Sequence, residues 1–165
     1  MEIMYIALAL GIAALFALKY LLPLLARQRA GDLPYEARGE LFTAAERSFL
    51  AVLDEAVGDR YRIMGQVRLA DVIKVKGGLD RSSRGSAFAK IRAKHLDFVA
   101  CDPSNMNVVF AVELDDSSHQ RESRRRRDEF LEQAMATAGV QLFRFPVRRS
   151  YDVEEVRQVI FAGSQ

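Results

Sequence analysis

Three carboxylates in or beside apolar strands are the residues of this chain best placed to do chemistry. Asp97 interrupts one apolar run, and Glu113 and Asp115 interrupt the end of the next. Because alternate residues of a strand share a face, Glu113 and Asp115 project together, roughly 7 Å apart along the strand. Carboxylates are seldom buried without a partner. A divalent cation, Mg²⁺ or Mn²⁺, is the economical partner because it neutralises their repulsion and supports hydrolysis; a solvated strand end is the alternative.

Two predicted strands joined by a polar turn must position these carboxylates. The turn is residues 102–105, where proline presets φ and Asp, Asn and Ser side chains bond to the local backbone. Residues 108–114, after the turn, are apolar at nearly every position. A central strand covered on both faces has this composition.

The sequence on either side of this hairpin alternates between helical and strand-like patterns. Thr43 and Glu46 have the spacing of a capping box, and Gly58 is placed to end the helix that follows them. Residues 61–75 alternate as a strand does, residues 77–86 are a glycine- and serine-rich loop, and residues 87–93 are a short helical return.

The region after residue 119 predicts a helix, a strand and a last helix. An apolar stripe begins at Asp128 and stops at Gly139, residues 140–145 form a strand, and Asp152 caps the final helix. With the anchor described below set aside, the order of elements is αβββαβα. A three-strand meander and a helical crossover to a fourth strand predict an α/β fold with a mixed four-stranded sheet flanked by helices.

Length and composition set the frame for these elements. The chain has 165 residues and a mass of 18.6 kDa, and half of its residues are hydrophobic, which suits one domain with a core. Its net charge of +2 is too small to indicate a class of partner. Cys101 is the one cysteine of the sequence, which excludes an internal disulfide framework.

The first residues predict a membrane anchor. Residues 3–26 are almost wholly apolar, and a helix of that length spans roughly 36 Å, enough to cross a hydrocarbon core of about 30 Å. A cleavable signal peptide needs basic residues before the run, whereas Arg27 and Arg29 follow it. The positive-inside rule then places the rest of the chain in the cytoplasm.

We therefore expect a single-pass protein of the inner (plasma) membrane with three parts. These are a transmembrane anchor at residues 3–26, a linker at 27–40 and a cytoplasmic domain at 41–162. The alternative for the apolar run is a buried helix of a soluble protein.

A run of arginines surrounds the predicted helix start after residue 119. A helix start favours acidic residues, so this composition needs another explanation. The cluster could neutralise nucleic-acid phosphates, contact anionic lipid head groups, or form a solvated face. The candidate nucleic-acid-binding residues are Arg121, Arg124, Arg125 and Arg127.

Asp128 heads the apolar stripe of this helix, so its side chain should point towards the sheet. Arg144 lies mid-strand and faces opposite to Phe143 and Phe145. We expect Asp128 to pair with Arg144 or Arg124 beside the carboxylate cluster.

Taken in order, these motifs resemble the restriction-endonuclease-like fold, the PD-(D/E)xK nuclease superfamily. The matching segments are DFV at 97–99, VVFAVELDDSSHQ at 108–120 and RRDEFLEQAMATAGVQLFRFP at 126–146. More narrowly, they are similar to the very-short-patch-repair-like branch with its ExDxxxH motif and to its bacterial relatives. Two residues depart from the pattern: Asp115 stands where (D/E)xK has lysine, and Asp116 where the branch often has glycine.

The resemblance implies a metal-dependent nuclease acting on nucleic acid, with DNA the expected substrate. Asp97 and Glu113 would be the principal metal ligands, and Asp115 a ligand or a partner of one. His119 would orient or deprotonate the attacking water. Lys94 is a candidate substitute for the missing lysine. The other class that the sequence leaves open is a catalytically inactive nuclease-like module that binds nucleic acid or a protein partner at the membrane.

Overall fold

The computed structural model describes residues 2–22, 33–115 and 122–162, and its architecture is α/β. The chain divides into two compact units, Met1–Gly39 and Glu40–Gln165. The second unit contains a four-stranded sheet in the order β1-β2-β3-β4. Its strands are β1 Arg62–Arg68, β2 His95–Cys101, β3 Val108–Asp115 and β4 Gln141–Pro146.

The sheet is mixed, as the predicted order of elements requires. Strands β1, β2 and β3 form an antiparallel meander, and β4 lies parallel to β3. A parallel neighbour needs a crossover, and a helix between β3 and β4 provides it. The helices are α1 Glu2–Phe16, α2 Ala44–Val57, α3 Leu69–Val72, α4 Arg81–Ile91, α5 Glu122–Ala138 and α6 Val153–Ala162.

In the described part of the apolar N-terminal run, the regular α-helix is shorter than the sequence predicts. Helix α1 has 15 residues, and a π-helical turn of 5 residues, Ala17–Leu21, follows it and contains Lys19. Within the described ranges, no helix is long and apolar enough to cross a membrane. The prediction of a transmembrane helix at residues 3–26 is therefore wrong.

Two local predictions in the second unit are also wrong. Strand β1 ends at Arg68 instead of continuing to residue 75, and helix α3 follows at once. The predicted loop at 77–86 contains the start of α4, because Asp80 caps that helix. Asp80 Oδ1 accepts hydrogen bonds from the backbone N–H groups of Ser82 and Ser83 at 2.9 and 3.0 Å.

The caps of the neighbouring helices agree with the sequence. Thr43 and Glu46 form the predicted capping box at the start of α2, and Gly58 follows its last residue with a φ of 54°. Asp152 Oδ1 accepts a hydrogen bond from Glu155 N at 2.8 Å at the start of α6. Local side-chain chemistry therefore fixes where both helices begin.

One face of the sheet, here called the aromatic face, packs against α2 and α6. The rings of Phe98 and Phe110 on the central strands lie against α2 and β4, with Phe110 edge-on to Phe143 at 5.3 Å between centroids. Gly65 on β1 admits a further ring, because a Cβ there would overlap Phe42. The buried aromatic side chains of this face are Phe49, Phe98, Phe110, Phe143 and Phe145.

The opposite face, here called the charged face, is covered by α4 and α5. Its buried core includes Val99 and Ala111 from the sheet, Ile91 from α4, and Leu131 and Met135 from α5. Side chains alternate along a strand, so the residues that flank these core positions on the same face carry the charged groups described next.

Candidate functional site

Asp97 and Glu113 lie on adjacent strands of the charged face. The β2–β3 register pairs Phe98 with Val112, so Asp97 and Glu113 occupy the next positions on the two strands. Asp97 Oδ2 accepts a hydrogen bond from the backbone N–H of Leu114 at 2.8 Å. This bond fixes the Asp97 carboxylate beside the carboxyl end of β3. Two of the predicted carboxylates are therefore brought together.

The Glu113 side chain is half-buried, and one of its carboxyl oxygens is fully buried. Its Oε1 atom has no hydrogen-bond partner among the described residues. Burial, and then repulsion from Asp97, raise the pKa of Glu113 to about 7, against an attraction from Arg144 that lowers it. A buried carboxylate oxygen without a partner is costly, so this atom is the clearest candidate for contact with a bound cation or a donor.

Arg144 connects the end of β3 to helix α5. The β3–β4 register places Arg144 opposite Glu113, and Arg144 Nη1 lies 2.6 Å from Asp115 Oδ1. On the α5 side, Arg144 Nε lies 3.0 Å from Glu132 Oε1 and Nη2 lies 3.8 Å from Asp128 Oδ1. Arg144 thus forms the ion pair with Asp128 that the sequence predicts, but at a long distance.

The contacts of Arg144 with α5 are electrostatic more than hydrogen-bonded. Nε and Nη2 are buried and satisfy no hydrogen bond among the described residues, although Glu132 lies within ion-pair distance of Nε. The short distance without alignment indicates attraction between the charges but a poor hydrogen-bond geometry. The firm contact of the guanidinium is therefore the one with Asp115.

Asp97 and Glu113 are the residues of this cluster that fit a divalent cation. Both supply the hard carboxylate oxygens that Mg²⁺ and Mn²⁺ prefer, and Glu113 Oε1 has no other partner among the described residues. One oxygen of Asp115, in contrast, is engaged by Arg144. Within residues 2–22, 33–115 and 122–162, no group of three His, Cys, Asp or Glu side chains is arranged to hold a metal. A cation here would have two protein carboxylates from the described part of the chain.

Lys94, the candidate for the missing lysine, lies immediately before β2. Its carbonyl oxygen accepts a hydrogen bond from Leu69 N at 2.8 Å, and its Nζ lies 5.5 Å from the centroid of the Phe130 ring on α5. The contact with a ring face is a cation–π interaction. A role for Lys94 in the site stays a prediction.

The remaining predicted residues fall at the edge of the description. His119 and Arg121 lie outside the described residues. The backbone of Arg124, Arg125 and Arg127 belongs to the first turns of α5, while their side chains are outside the description. Their expected contact with nucleic acid therefore stays a prediction.

Sequence reasoning missed two residues beside the site. Glu132 contacts Arg144, and its spacing of four residues from Asp128 on one helix face was the available signal. Gln66 lies between the register pairs that flank Asp97 and has a φ of 53°, which is unusual for a residue other than glycine. Its side chain donates a hydrogen bond to Glu46 Oε1 at 2.9 Å. No local sequence pattern marks this strained position.

Comparison with known proteins identifies a family and nothing further. A search of the curated proteins and a search of the solved structures each found no match. Residues 38–163 match the family described as "Protein of unknown function (DUF2726)". The match spans the whole sheet and the helices on both of its faces, including Asp97, Glu113 and Arg144. The chain therefore belongs to the DUF2726 family.

Proposed function

We propose that this protein is a divalent-cation-dependent nuclease of the restriction-endonuclease-like type, with Asp97 and Glu113 as the ligands of the cation. The observation that carries the proposal is the buried Glu113 Oε1, which lacks a hydrogen-bond partner among the described residues and lies beside a second carboxylate. A cation supplies the missing partner and removes the repulsion between the two groups. The sequence resemblance supports the same pair of residues.

The site divides its tasks among a few side chains. Asp97 is held by the Leu114 N–H, so its carboxylate is positioned before a ligand arrives, and Glu113 occupies the neighbouring position on β3. Arg144 pairs with Asp115 and keeps that carboxylate at the end of β3. A bound Mg²⁺ or Mn²⁺ would polarise the phosphate and lower the pKa of the attacking water.

Glu113 must be ionised to bind a cation, and this sets the expected pH dependence. Because its pKa is raised to about 7, the apo site is largely protonated below that pH. Cation affinity and activity should therefore increase as the pH rises through about 7. A site that uses a protonated carboxyl group as a general acid would show the opposite pH dependence, with activity falling as the pH rises.

Nucleic acid is the proposed substrate because of the basic residues around the start of α5. Arg121, Arg124, Arg125 and Arg127 follow the carboxylate strand closely in sequence, as a phosphate-binding segment should. His119, between them and Glu113, is proposed to orient the attacking water. DNA is the preferred substrate on the resemblance to the very-short-patch-repair-like branch.

A second candidate function is favoured by the contact between Asp115 and Arg144. The residue that replaces the usual lysine is bound to Arg144, and the described residues hold no cluster of three metal ligands. A nuclease-like module that binds nucleic acid or a protein without cleaving it would have these features. This reading needs the same basic segment but not Glu113.

A cleavage assay separates the two candidates. Supercoiled DNA, single-stranded DNA and RNA are incubated with the full chain and with Mg²⁺ or Mn²⁺ at about pH 8. The nuclease predicts cleavage that Glu113→Gln and Asp97→Asn reduce about 100-fold or more, since a metal ligand is lost. Glu55→Gln, an exposed change on α2, is the matched control and should cleave normally. Binding without cleavage, unchanged by Glu113→Gln, would establish the inactive module instead.

A further inference from the structure

A cavity of about 840 Å³ lies between α4, α5 and the segment that follows α3, and Asp97, Glu113 and Arg144 are not among its described lining residues. Its volume is within the range of small-molecule sites. Most of its lining surface is apolar, although serines and lysines also line it, and Phe130 is the one aromatic residue among the described lining residues. The apolar lining residues include Ile73, Val75, Leu79, Ile91, Phe130 and Ala134.

The charged residues that line this cavity are lysines among the described residues. Lys74, Lys76 and Lys90 line it, and the described lining residues include no aspartate or glutamate. None of the three lysines forms an ion pair with a described residue. Three lysines around a largely apolar cavity, with no acidic side chain among the described lining residues, are complementary to an anion that also carries an apolar body.

Helices α4 and α5 each line the cavity with residues from one helix face. On α4, Ser83, Ala87 and Lys90 recur at helical spacing, so hydroxyl, methyl and ammonium groups line one side. On α5, Phe130, Ala134 and further residues of the same stripe line the other side. Asp128 and Glu132 of α5 are directed instead to Arg144, so one helix separates the two environments.

We propose that this cavity binds a small anionic amphiphile, a molecule with an aliphatic chain and a carboxylate or phosphate head group. The chain would fill the aliphatic interior, and the head group would meet Lys74, Lys76 and Lys90. A nucleobase fits the cavity less well, because its binding relies on stacking between aromatic rings. Phe130 alone offers a ring here, and the Lys94 ammonium already lies over it. The proposal does not depend on the nuclease activity.

Calorimetric titration of the full chain tests this site. Decyl phosphate and decanoate are added below their micellar concentrations, with decyl maltoside as a neutral amphiphile and inorganic phosphate as a head group without a chain. We expect both anionic amphiphiles to bind at least about tenfold more tightly than decyl maltoside or phosphate, because only they use both parts of the cavity.

Substitutions show whether the cavity is the site. Ala134→Phe fills it from α5 and should weaken amphiphile binding about tenfold or more, whereas Ala136→Phe, on the same helix but not lining the cavity, should have no effect. The triple change of Lys74, Lys76 and Lys90 to glutamine keeps the wall intact and should remove the preference for anionic over neutral amphiphiles.

Several results would overturn the proposal. These are no binding of either anionic amphiphile, equal losses in Ala134→Phe and Ala136→Phe, or an unchanged charge preference in the triple glutamine variant. Phosphate binding as tight as decyl phosphate binding would also overturn it, since the chain would then contribute nothing. Binding of an oligothymidylate that Ala134→Phe abolishes, without amphiphile binding, would assign the cavity to nucleic acid instead.

Discussion

The two faces of the sheet are built from the same four strands but differ in composition. On the aromatic face, the described buried side chains of the strands are all apolar, and four of them are phenylalanines, which pack with Phe49 of α2. On the charged face, the same strands contribute Asp97, Glu113 and Arg144 next to an aliphatic core. Strand alternation lets neighbouring residues serve the two faces separately.

The two faces also differ in their expected contributions to the free energy of unfolding. The aromatic face buries large rings in edge-to-face contacts, such as Phe49 with Tyr151 at 4.8 Å between centroids. The charged face buries Glu113 Oε1 and two Arg144 nitrogens that lack hydrogen bonds among the described residues. Groups of that kind lower stability and cluster at functional sites. The aromatic face should therefore dominate stability, and the charged face should respond to pH and cations.

The largest effect is expected on the aromatic face. Phe110 is 1 % exposed and contacts Tyr61 and Phe143 edge-on. Phe110→Ala should lower the free energy of unfolding by about 4 kcal/mol, because it leaves a cavity among rings. Denaturant unfolding measures the loss. Val109→Ala, at a 39 % exposed position of the same strand, is the control and should cost under about 1 kcal/mol. Equal costs would mean that this face does not dominate stability.

A smaller loss is expected when Arg144 is replaced. Its side chain is 20 % exposed and contacts Asp115, so Arg144→Met removes the guanidinium group that neutralises the surrounding carboxylates. We expect a loss of about 3 kcal/mol in the free energy of unfolding. Arg148→Met is the matched control, since the Arg148–Glu155 pair is 46 % and 51 % exposed and should contribute under about 1 kcal/mol. A loss no larger than the control's would show that the cluster does not stabilise the charged face.

The third prediction is a gain of stability that depends on pH. The pKa of Glu113 is raised from 4.5 to about 7 by burial and by Asp97, so the folded state retains a proton that the unfolded state has lost. The stability contribution of this group is full below pH 4.5 and is lost as the pH rises through 7.

Glu113→Gln removes that loss, and chemical unfolding in the presence of a chelator measures the gain. The variant should be more stable than the wild type above about pH 8, by on the order of 2 kcal/mol, and equal to it near pH 4. Glu55→Gln, on the exposed side of α2, serves as the control and should show no such pH-dependent gain. A constant difference at all pH values would mean that the effect is not the ionisation of Glu113.

The smallest effect concerns Asp128. A buried pair loses about 3–5 kcal/mol when one partner is removed. The Asp128 side chain, however, is 36 % exposed and lies 3.8 Å from Arg144. Asp128→Ala should therefore lower the free energy of unfolding by under about 1 kcal/mol, less than Arg144→Met. Thermal unfolding of the two variants makes the comparison, and a larger loss for Asp128→Ala would place the centre of the cluster on α5.

Strong local signals made much of the second unit predictable. The continuous apolar run of β3 marks a central strand, and Thr43, Glu46 and Gly58 mark the limits of α2. The mixed sheet follows from the order of such elements. Helix α4 was placed too late because Gly77 to Ser86 resembles a loop in composition, although Asp80 is a good N-cap. The prediction gave more weight to the glycine- and serine-rich composition than to the single capping residue Asp80.

For the candidate site, the sequence predicted which charged side chains lie near one another but not the contacts that they make. Alternation places Glu113 and Asp115 on one face, but it does not say that Arg144 takes Asp115 as its partner. That choice depends on the parallel register of β4, which pairs Glu113 with Arg144. The prediction of a transmembrane helix was wrong for a related reason. Hydropathy gives the length of an apolar run, but it does not show that the regular α-helix ends at Phe16.

Calorimetric titration of Mn²⁺ into the full chain at about pH 8 tests whether Asp97 and Glu113 bind a divalent cation. We expect a saturable site with a dissociation constant in the millimolar range or below. Glu113→Gln should weaken it at least about tenfold, and Glu55→Gln should leave it unchanged. Cation binding that is equal in the wild type and in Glu113→Gln, or no binding at millimolar Mn²⁺ even with DNA present, would contradict it.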